Sequence, residues 1–249
     1  MNISIDSFCA FFKILFASLL TFVPIMASAN VCARTPEVVR QLQRMTGLPC
    51  AEIGNDHLAS VKWLDFRDDP IHEGLRQGDF DGLSQVEEMR LRGESIFSFP
   101  DRIFEPLENL KQLQMAELGL KAISADIFRK NNKLRKISLA QNRLESLPGD
   151  LFGSTPLLRD LSLHGNQLTS VPENLFDGLA LLEGLSLGIE WPNNPIQNLS
   201  RRHFRDLSKL RYLILDGMRL KTIPKDLLQD LRSLQKIYLS ENDFLEIPE

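Results

Sequence analysis

The chain has 249 residues, a formal net charge of −4 and 25% charged residues, with acids and bases interspersed. That balance gives no electrostatic footprint for a nucleic-acid partner. With 43% apolar residues and no low-complexity linker, the sequence can bury one sizeable core.

Residues 1–29 read as a secretory signal peptide. Lys13 closes the n-region, Ile14 to Met26 form an apolar run, and Ala27-Ser28-Ala29 offers small residues before Asn30. The run contains Pro24 and falls short of the ~20 apolar residues that a membrane span requires. Cys32 raises a lipid anchor as a rival reading, but Asn30 and Val31 stand where a lipoprotein signal wants small residues. Cleavage between Ala29 and Asn30 removes one acid, Asp6, and one base, Lys13, so the charge is unchanged. The expected product is exported, to the periplasm or the extracellular space, with no transmembrane segment.

Export makes the cysteines interpretable. Cys9 leaves with the signal, and Cys32 and Cys50 remain as an even pair in an oxidising compartment, which predicts a disulfide. Between them, "ARTPEVVRQLQRMTGLP" carries Thr35 as an N-cap residue and Pro36 at the first helical position. Val38, Val39, Leu42 and Met45 form an apolar stripe, and Gly47 is a stop. Closing this loop is worth roughly 3 kcal/mol in the loop-entropy model. No histidine lies between the two cysteines, so a metal site is the weaker reading.

From Val86 the chain follows a period. Val86, Leu110, Leu134, Leu158, Leu182, Leu210 and Leu234 recur every 24 residues, except for 28 between Leu182 and Leu210. A second column holds Phe80, Phe104, Phe128, Phe152, Phe176 and Phe204, followed by Leu228. Rows such as "LRKISLAQNRLESLPGDLFGSTPL" and "LRDLSLHGNQLTSVPENLFDGLAL" resemble the leucine-rich repeat family in its 24-residue form with an LPxxLF tail. The resemblance covers residues 58–249, about seven to eight repeats with the last incomplete. It implies an α/β solenoid: a curved horseshoe with a short parallel β-sheet on the concave face and irregular or 3-10 structure on the convex side. The physics agrees. A single repeat cannot bury enough to offset the ordering of its backbone, so repeats fold only when stacked. Residues 30–57, with "CARTPEVVRQL" and the following "GDFDGL", resemble the N-terminal cap of exported bacterial leucine-rich repeat proteins. "IYLSENDFLEIPE" has no equivalent cap, and reads either as an end that meets a partner or as a chain cut short.

The asparagine slot of the repeat is irregular. Asn142, Asn166 and Asn242 match it, whereas Asp69, Glu94, Leu118 and Met218 depart. The repeat "GLSLGIEWPNNPIQNLS" is four residues long in excess, and its Asn193-Asn194 between two prolines suits a turn.

No motif carries chemistry. His57, His72, His164 and His203 share no short metal-ligand spacing, and neither a nucleophile elbow nor a phosphate-binding loop is present. Acid pairs such as Asp68-Asp69 and Glu87-Glu88 read as solvated edges. The sequence implies no catalytic residue, no metal and no cofactor. Strand alternation instead lists a concave binding face: Trp63; Arg90 and Arg92; Gln114; Ser138; Ser162 and His164; Ser186; Tyr212 and Ile214; Tyr238. Its small polar floor gives way to an aromatic and aliphatic patch at the C-terminal end, where interfaces concentrate energy. Trp191, in the longer turn, is expected at the rim of that patch. The reading is an exported module that binds a protein or peptide, with an envelope scaffold or glycan-binding adhesin as the alternative.

Overall fold

The computed structural model describes residues 30–93, 95–189 and 194–245. The expected signal peptide and Ala29, at its cleavage site, lie outside the described residues, as does Trp191.

Eight strands of three residues each form one parallel sheet in sequence order. They are β1 (Trp63–Asp65), β2 (Glu88–Arg90), β3 (Gln112–Gln114), β4 (Lys136–Ser138), β5 (Asp160–Ser162), β6 (Gly184–Ser186), β7 (Tyr212–Ile214) and β8 (Lys236–Tyr238). The alternation of the sequence explains each one. The central residue, such as Leu113 or Leu161, points inward and is buried, while its two neighbours face solvent. Register is constant along the array: Gln112 lies opposite Lys136, Lys136 opposite Asp160, and Gly184 opposite Tyr212. The last pairing spans the longer repeat, so its four extra residues do not shift the ladder.

Behind the sheet the chain returns through turns, a 3-10 turn at Ala125–Phe128 and a helical turn at Arg201–Phe204. The phenylalanine column is the spine of this side. Phe80, Phe104, Phe128, Phe152, Phe176 and Phe204 are all buried. Their rings stack at centroid distances of 6.1 Å (Phe80–Phe104), 6.4 Å (Phe104–Phe128), 6.2 Å (Phe128–Phe152) and 6.4 Å (Phe176–Phe204). Each ring fills the space between one turn and the next, so the core is continuous along the solenoid.

The N-terminal edge is covered by α1 (Pro36–Thr46) and α2 (Asn55–Ser60), with Cys32 and Cys50 joined in a disulfide. Val38 and Leu42 are fully buried, whereas Val39 and Met45 are half-buried. Gly47 ends α1 in the left-handed region at φ 71°, with its amide donating to Gln43 O. Gln41 Nε2 donates to Asp65 O at 2.5 Å, satisfying a carbonyl of β1 that faces no further strand. Thr35 departs from expectation. It precedes α1 but makes no side-chain cap; its hydroxyl donates to Asp79 Oδ2 at 2.6 Å and its amide to Asp79 Oδ1 at 2.8 Å. The buried Asp79 carboxylate is a charged acceptor, and its short bonds to the Thr35 hydroxyl and amide hold this residue toward the loop at 76–81. Arg76 N also donates to Asp79 at 2.6 Å, and the buried Arg34 guanidinium donates to the carbonyls of Asp79 and Asp81 at 3.0 and 2.7 Å. The segments "CART" and "GDFD" are thereby latched together across more than forty residues.

Phe152→Ala is expected to lower stability by about 3–5 kcal/mol, because Phe152 is buried and stacked on Phe128 in the continuous core, and its removal leaves a cavity there; chemical denaturation reads the change directly. Asp79→Ala removes three hydrogen bonds to a buried carboxylate and should cost about 3 kcal/mol or more on the same assay.

Candidate functional site

The solvent face of the sheet is built from the first and third residues of each strand. At its C-terminal end, constant register sets Ser186, Ile214 and Tyr238 side by side on β6, β7 and β8. Neighbouring strands lie about 4.8 Å apart, so Tyr212, Ile214 and Tyr238 form one patch. Tyr212 and Tyr238 are 38% and 43% exposed, which leaves both rings available, and Ile214 is half-buried. The guanidinium of Arg211 sits 5.6 Å from the Tyr212 ring centroid. Gln114, Ser138 and Ser162 are half-buried along the middle of the face, and Ser186 is buried.

The N-terminal end differs. Trp63 on β1 is 53% exposed and stands among charges. Arg67 pairs with Asp65 at 2.7 Å, and Arg90 bridges Asp65 at 3.4 Å and Glu88 at 2.5 Å. Hydrogen bonding from Arg67 holds the Asp65 carboxyl below its ordinary range. Arg92 is exposed, and its Nη1 donates to Arg67 O at 3.4 Å. A depression of about 370 Å³ is lined by Trp63, Asp65, Glu88 and Arg90. A second, of about 500 Å³, lies between Trp63 and the Gln41, Arg44 and Met45 side chains of α1. Sequence alternation found Trp63, Arg90 and Arg92 but not the helix residues. Their proximity depends on how α1 docks, which no local pattern encodes.

The acid pairs are more than solvated edges. Asp69 receives two hydrogen bonds from Arg40, at 2.8 and 2.9 Å, and lies 3.5 Å from Arg44, so it ties α1 to the loop after β1. Arg40 holds the Asp69 carboxyl below its ordinary range, chiefly through those hydrogen bonds. Glu87 pairs with Lys111 at 2.7 Å.

The longer repeat is anchored at both ends. Asn194 is fully buried; its Nδ2 donates to Leu163 O at 2.9 Å and Leu187 O at 2.6 Å, and its Oδ1 accepts from Leu168 N at 3.0 Å. Asn166 makes the same set of bonds with Leu139, Leu163 and Leu144. Asn194 therefore fills the asparagine slot of this repeat rather than a surface turn between prolines. The reason is burial: three backbone groups inside the solenoid need this side chain. Three positions separate Leu163 from Asn166, and seven separate Leu187 from Asn194, so the four extra residues fall between Gly188 and Asn194. Gly188 is constrained by space. A Cβ there would lie 2.2 Å from Asp216 O and 2.7 Å from Asp216 N.

Beside this anchor, the Ser186 hydroxyl donates to Gly188 O at 3.2 Å. That leaves His164 Nδ1–H as the donor in its 3.0 Å contact with Ser186 Oγ. Burial pushes the His164 imidazole below its ordinary value near 6.5. The other histidines that make contacts are structural. His57 Nδ1 accepts from Gly54 N at 3.1 Å, and the buried His203 bonds Ser200 and Val171 O. Among the described residues no group of three or more His, Cys, Asp or Glu gathers around a common point, and no helix is long and apolar enough to cross a membrane.

Comparison with known proteins gives a consistent fold. The family model described as leucine rich repeat matches residues 132–188 and 192–244, with its break in the longer turn. No curated protein matches the sequence. Toll, in the Toll–Spatzle complex of Drosophila, aligns at TM-score 0.68 and 27% identity, over 77% of this chain and 24% of that one. A leucine-rich repeat protein of Leptospira interrogans aligns at TM-score 0.60 and 27% identity, over 68% and 41%. TLR13 in a complex with ssRNA13 shares the fold at TM-score 0.59 and 22% identity, over 74% and 29%. The chain thus spans well under half the length of each of these neighbours.

Gly188→Ala should destabilise by about 1–3 kcal/mol, since backbone must move. Gly184→Ala, which meets only the Asp160 carboxylate tip at 2.9 Å, should cost less; paired thermal melts distinguish the two. His164 predicts a pH effect of fixed sign. The fold prefers its neutral form, so the unfolded chain takes up the proton first on acidification. Its contribution is complete above about pH 6.5 and falls as pH drops below that value. Melts from pH 7.5 to 5 should therefore decline more steeply for the wild type than for His164→Gln.

Proposed function

We propose that the chain is a leucine-rich repeat protein, as the family match over residues 132–188 and 192–244 supports, and that it is an exported, non-catalytic module binding a protein or peptide on the concave face of its sheet. The observation that carries this reading is the cluster of Tyr212 and Ile214, at the two ends of β7, with Tyr238 beside Ile214 on β8, all exposed or half-exposed. Large, stiff aromatic side chains contribute much contact area for little lost conformational freedom, which suits an interface centre. The half-buried Gln114, Ser138 and Ser162, with the buried Ser186, continue the contact surface as a polar floor, and Trp63, Arg90, Arg92 and His164 complete the proposed face. A disulfide between Cys32 and Cys50 supports export, since such bonds persist in oxidising compartments. A ligand-bound precedent exists in Toll, whose solved complex contains Spatzle.

The longer turn leaves the sheet between Gly188 and Asn194, one strand from Tyr212. In this proposal Trp191 contributes to the rim of the same site. The turn can be removed cleanly. Deleting residues 190–193 gives Leu187-Gly188-Ile189-Asn194, the spacing of Leu139-Ala140-Gln141-Asn142. Gln141 is in the left-handed region at φ 54°, so the deletion should be combined with Ile189→Gly to avoid a β-branched residue there.

The test is affinity capture by the oxidised full chain from secreted and periplasmic fractions, with binding of the captured protein then quantified. Tyr212→Ala and Tyr238→Ala are each expected to weaken it by ~2 kcal/mol, roughly thirtyfold, with the melting temperature unchanged. The turn deletion should weaken the same partner while retaining most of the stability. A captured partner indifferent to every one of these changes would place its contact elsewhere.

A further inference from the structure

We propose that the depressions around Trp63 form a carbohydrate subsite that takes a neutral glycan, separate from the tyrosine patch. Trp63 leaves more than half of its surface in water while standing in a concavity shared by two depressions of about 370 and 500 Å³. Trp63 and Asp65 line both depressions. The flat apolar ring has polar groups around it: Glu88 and Arg90 on one side, Gln41, Arg44 and Asp68 on the other.

The charge state of this lining decides the ligand class. Asp65 already pairs with Arg67 and Arg90, Glu88 with Arg90, and Arg44 lies 3.5 Å from Asp69. These groups neutralise one another, so the site does not call for an ion. They remain rich in hydrogen-bonding capacity. Each terminal nitrogen of Arg90 holds one carboxylate and keeps a second N–H, and the Glu88 carboxylate, held by Arg90 through Oε1, presents Oε2, whereas the Asp65 carboxylate is occupied by Arg67 and Arg90. The ion pairs also hold those donors and acceptors in place before a ligand arrives, which lowers the ordering cost of binding. A flat apolar face ringed by fixed, mutually neutralised donors and acceptors matches a sugar ring. Such a ring presents C–H groups on one face and, at its edge, hydroxyls that each donate and accept. An apolar peptide side chain would instead bring the aliphatic surface of its anchor against polar groups that it cannot satisfy.

The test uses a Trp191→Phe background, in which Trp63 is the sole tryptophan of a chain that has two. The full chain is screened on an array of neutral glycans, and binders are confirmed by titration of Trp63 fluorescence with the free oligosaccharide. The expected result is at least one neutral glycan that perturbs Trp63 saturably. Calorimetry should show its affinity reduced about tenfold or more by Trp63→Ala, partly restored by Trp63→Tyr, and unchanged by Tyr212→Ala. Trp63 is exposed, so an unaltered melt confirms that the alanine variant is folded. An array without any Trp63-dependent neutral binder overturns the proposal. So does binding confined to sulfated glycans and tracking Arg92→Ala and ionic strength, or binding lost with Tyr212→Ala and not with Trp63→Ala.

Discussion

Where each strand ends, the chain must leave a parallel sheet with backbone groups still buried, and an asparagine side chain meets that demand for two repeats at once. Its Nδ2 donates to the carbonyl just past the strand of its own repeat and to that of the repeat before, while Oδ1 accepts an amide from the preceding turn. Asn142, Asn166, Asn194 and Asn242 all follow this pattern. Unpaired, each of these groups would cost on the order of 1–3 kcal/mol. The ladder therefore fixes the spacing of the turns, and the spacing fixes the strand register. Repeats with Leu118 or Met218 in the slot are still served. The next asparagine accepts the amides at 118 and 120 or at 218 and 220, and Gly119 or Arg219 moves into the left-handed region at φ 82° or 61°.

With register fixed at the sheet, the other side of each turn is free to hold one large side chain at a repeating distance. The stacked phenylalanines use that freedom, at about 6 Å between rings. The N-terminal edge meets the same demand with different chemistry. Gln41 supplies the hydrogen bond to Asp65 O that a neighbouring strand would give, and Asp79 with Arg34 replaces the stacking of a further repeat.

This regular frame allows its solvent face to vary. Most side chains at positions one and three of the strands stand outside the core, so the face runs from Trp63 in a self-neutralised charge network, through half-buried Gln114, Ser138 and Ser162, to Tyr212 and Tyr238. The two ends offer different recognition chemistry: hydrogen bonding around one flat ring, and apolar contact across several. The extra residues in the sixth repeat sit where the frame can absorb them. Gly188 fits tightly under the backbone of Asp216, Asn194 rejoins the ladder, and the strand pairing of β6 with β7 continues as if they were not there.

How much of this the sequence contained follows from the range of the interactions. Two columns at one period determined the solenoid, the sheet order and the buried Phe spine, because each repeat contacts its neighbours and a contact between neighbours is a contact at fixed sequence separation. Strand alternation likewise determined which side of each strand Trp63, Tyr212 and Tyr238 occupy. Tertiary structure decided what breaks the period. Asn194 reads as a turn residue until the buried carbonyls of Leu163 and Leu187 are seen to converge on it. Thr35 reads as a helix cap until Asp79 takes its hydroxyl, and Asp69 reads as a solvated acid until Arg40 arrives from α1. In each case a buried or partly buried polar group found a partner 29 to 44 residues away, and the choice was set by which donors and acceptors packing had removed from water.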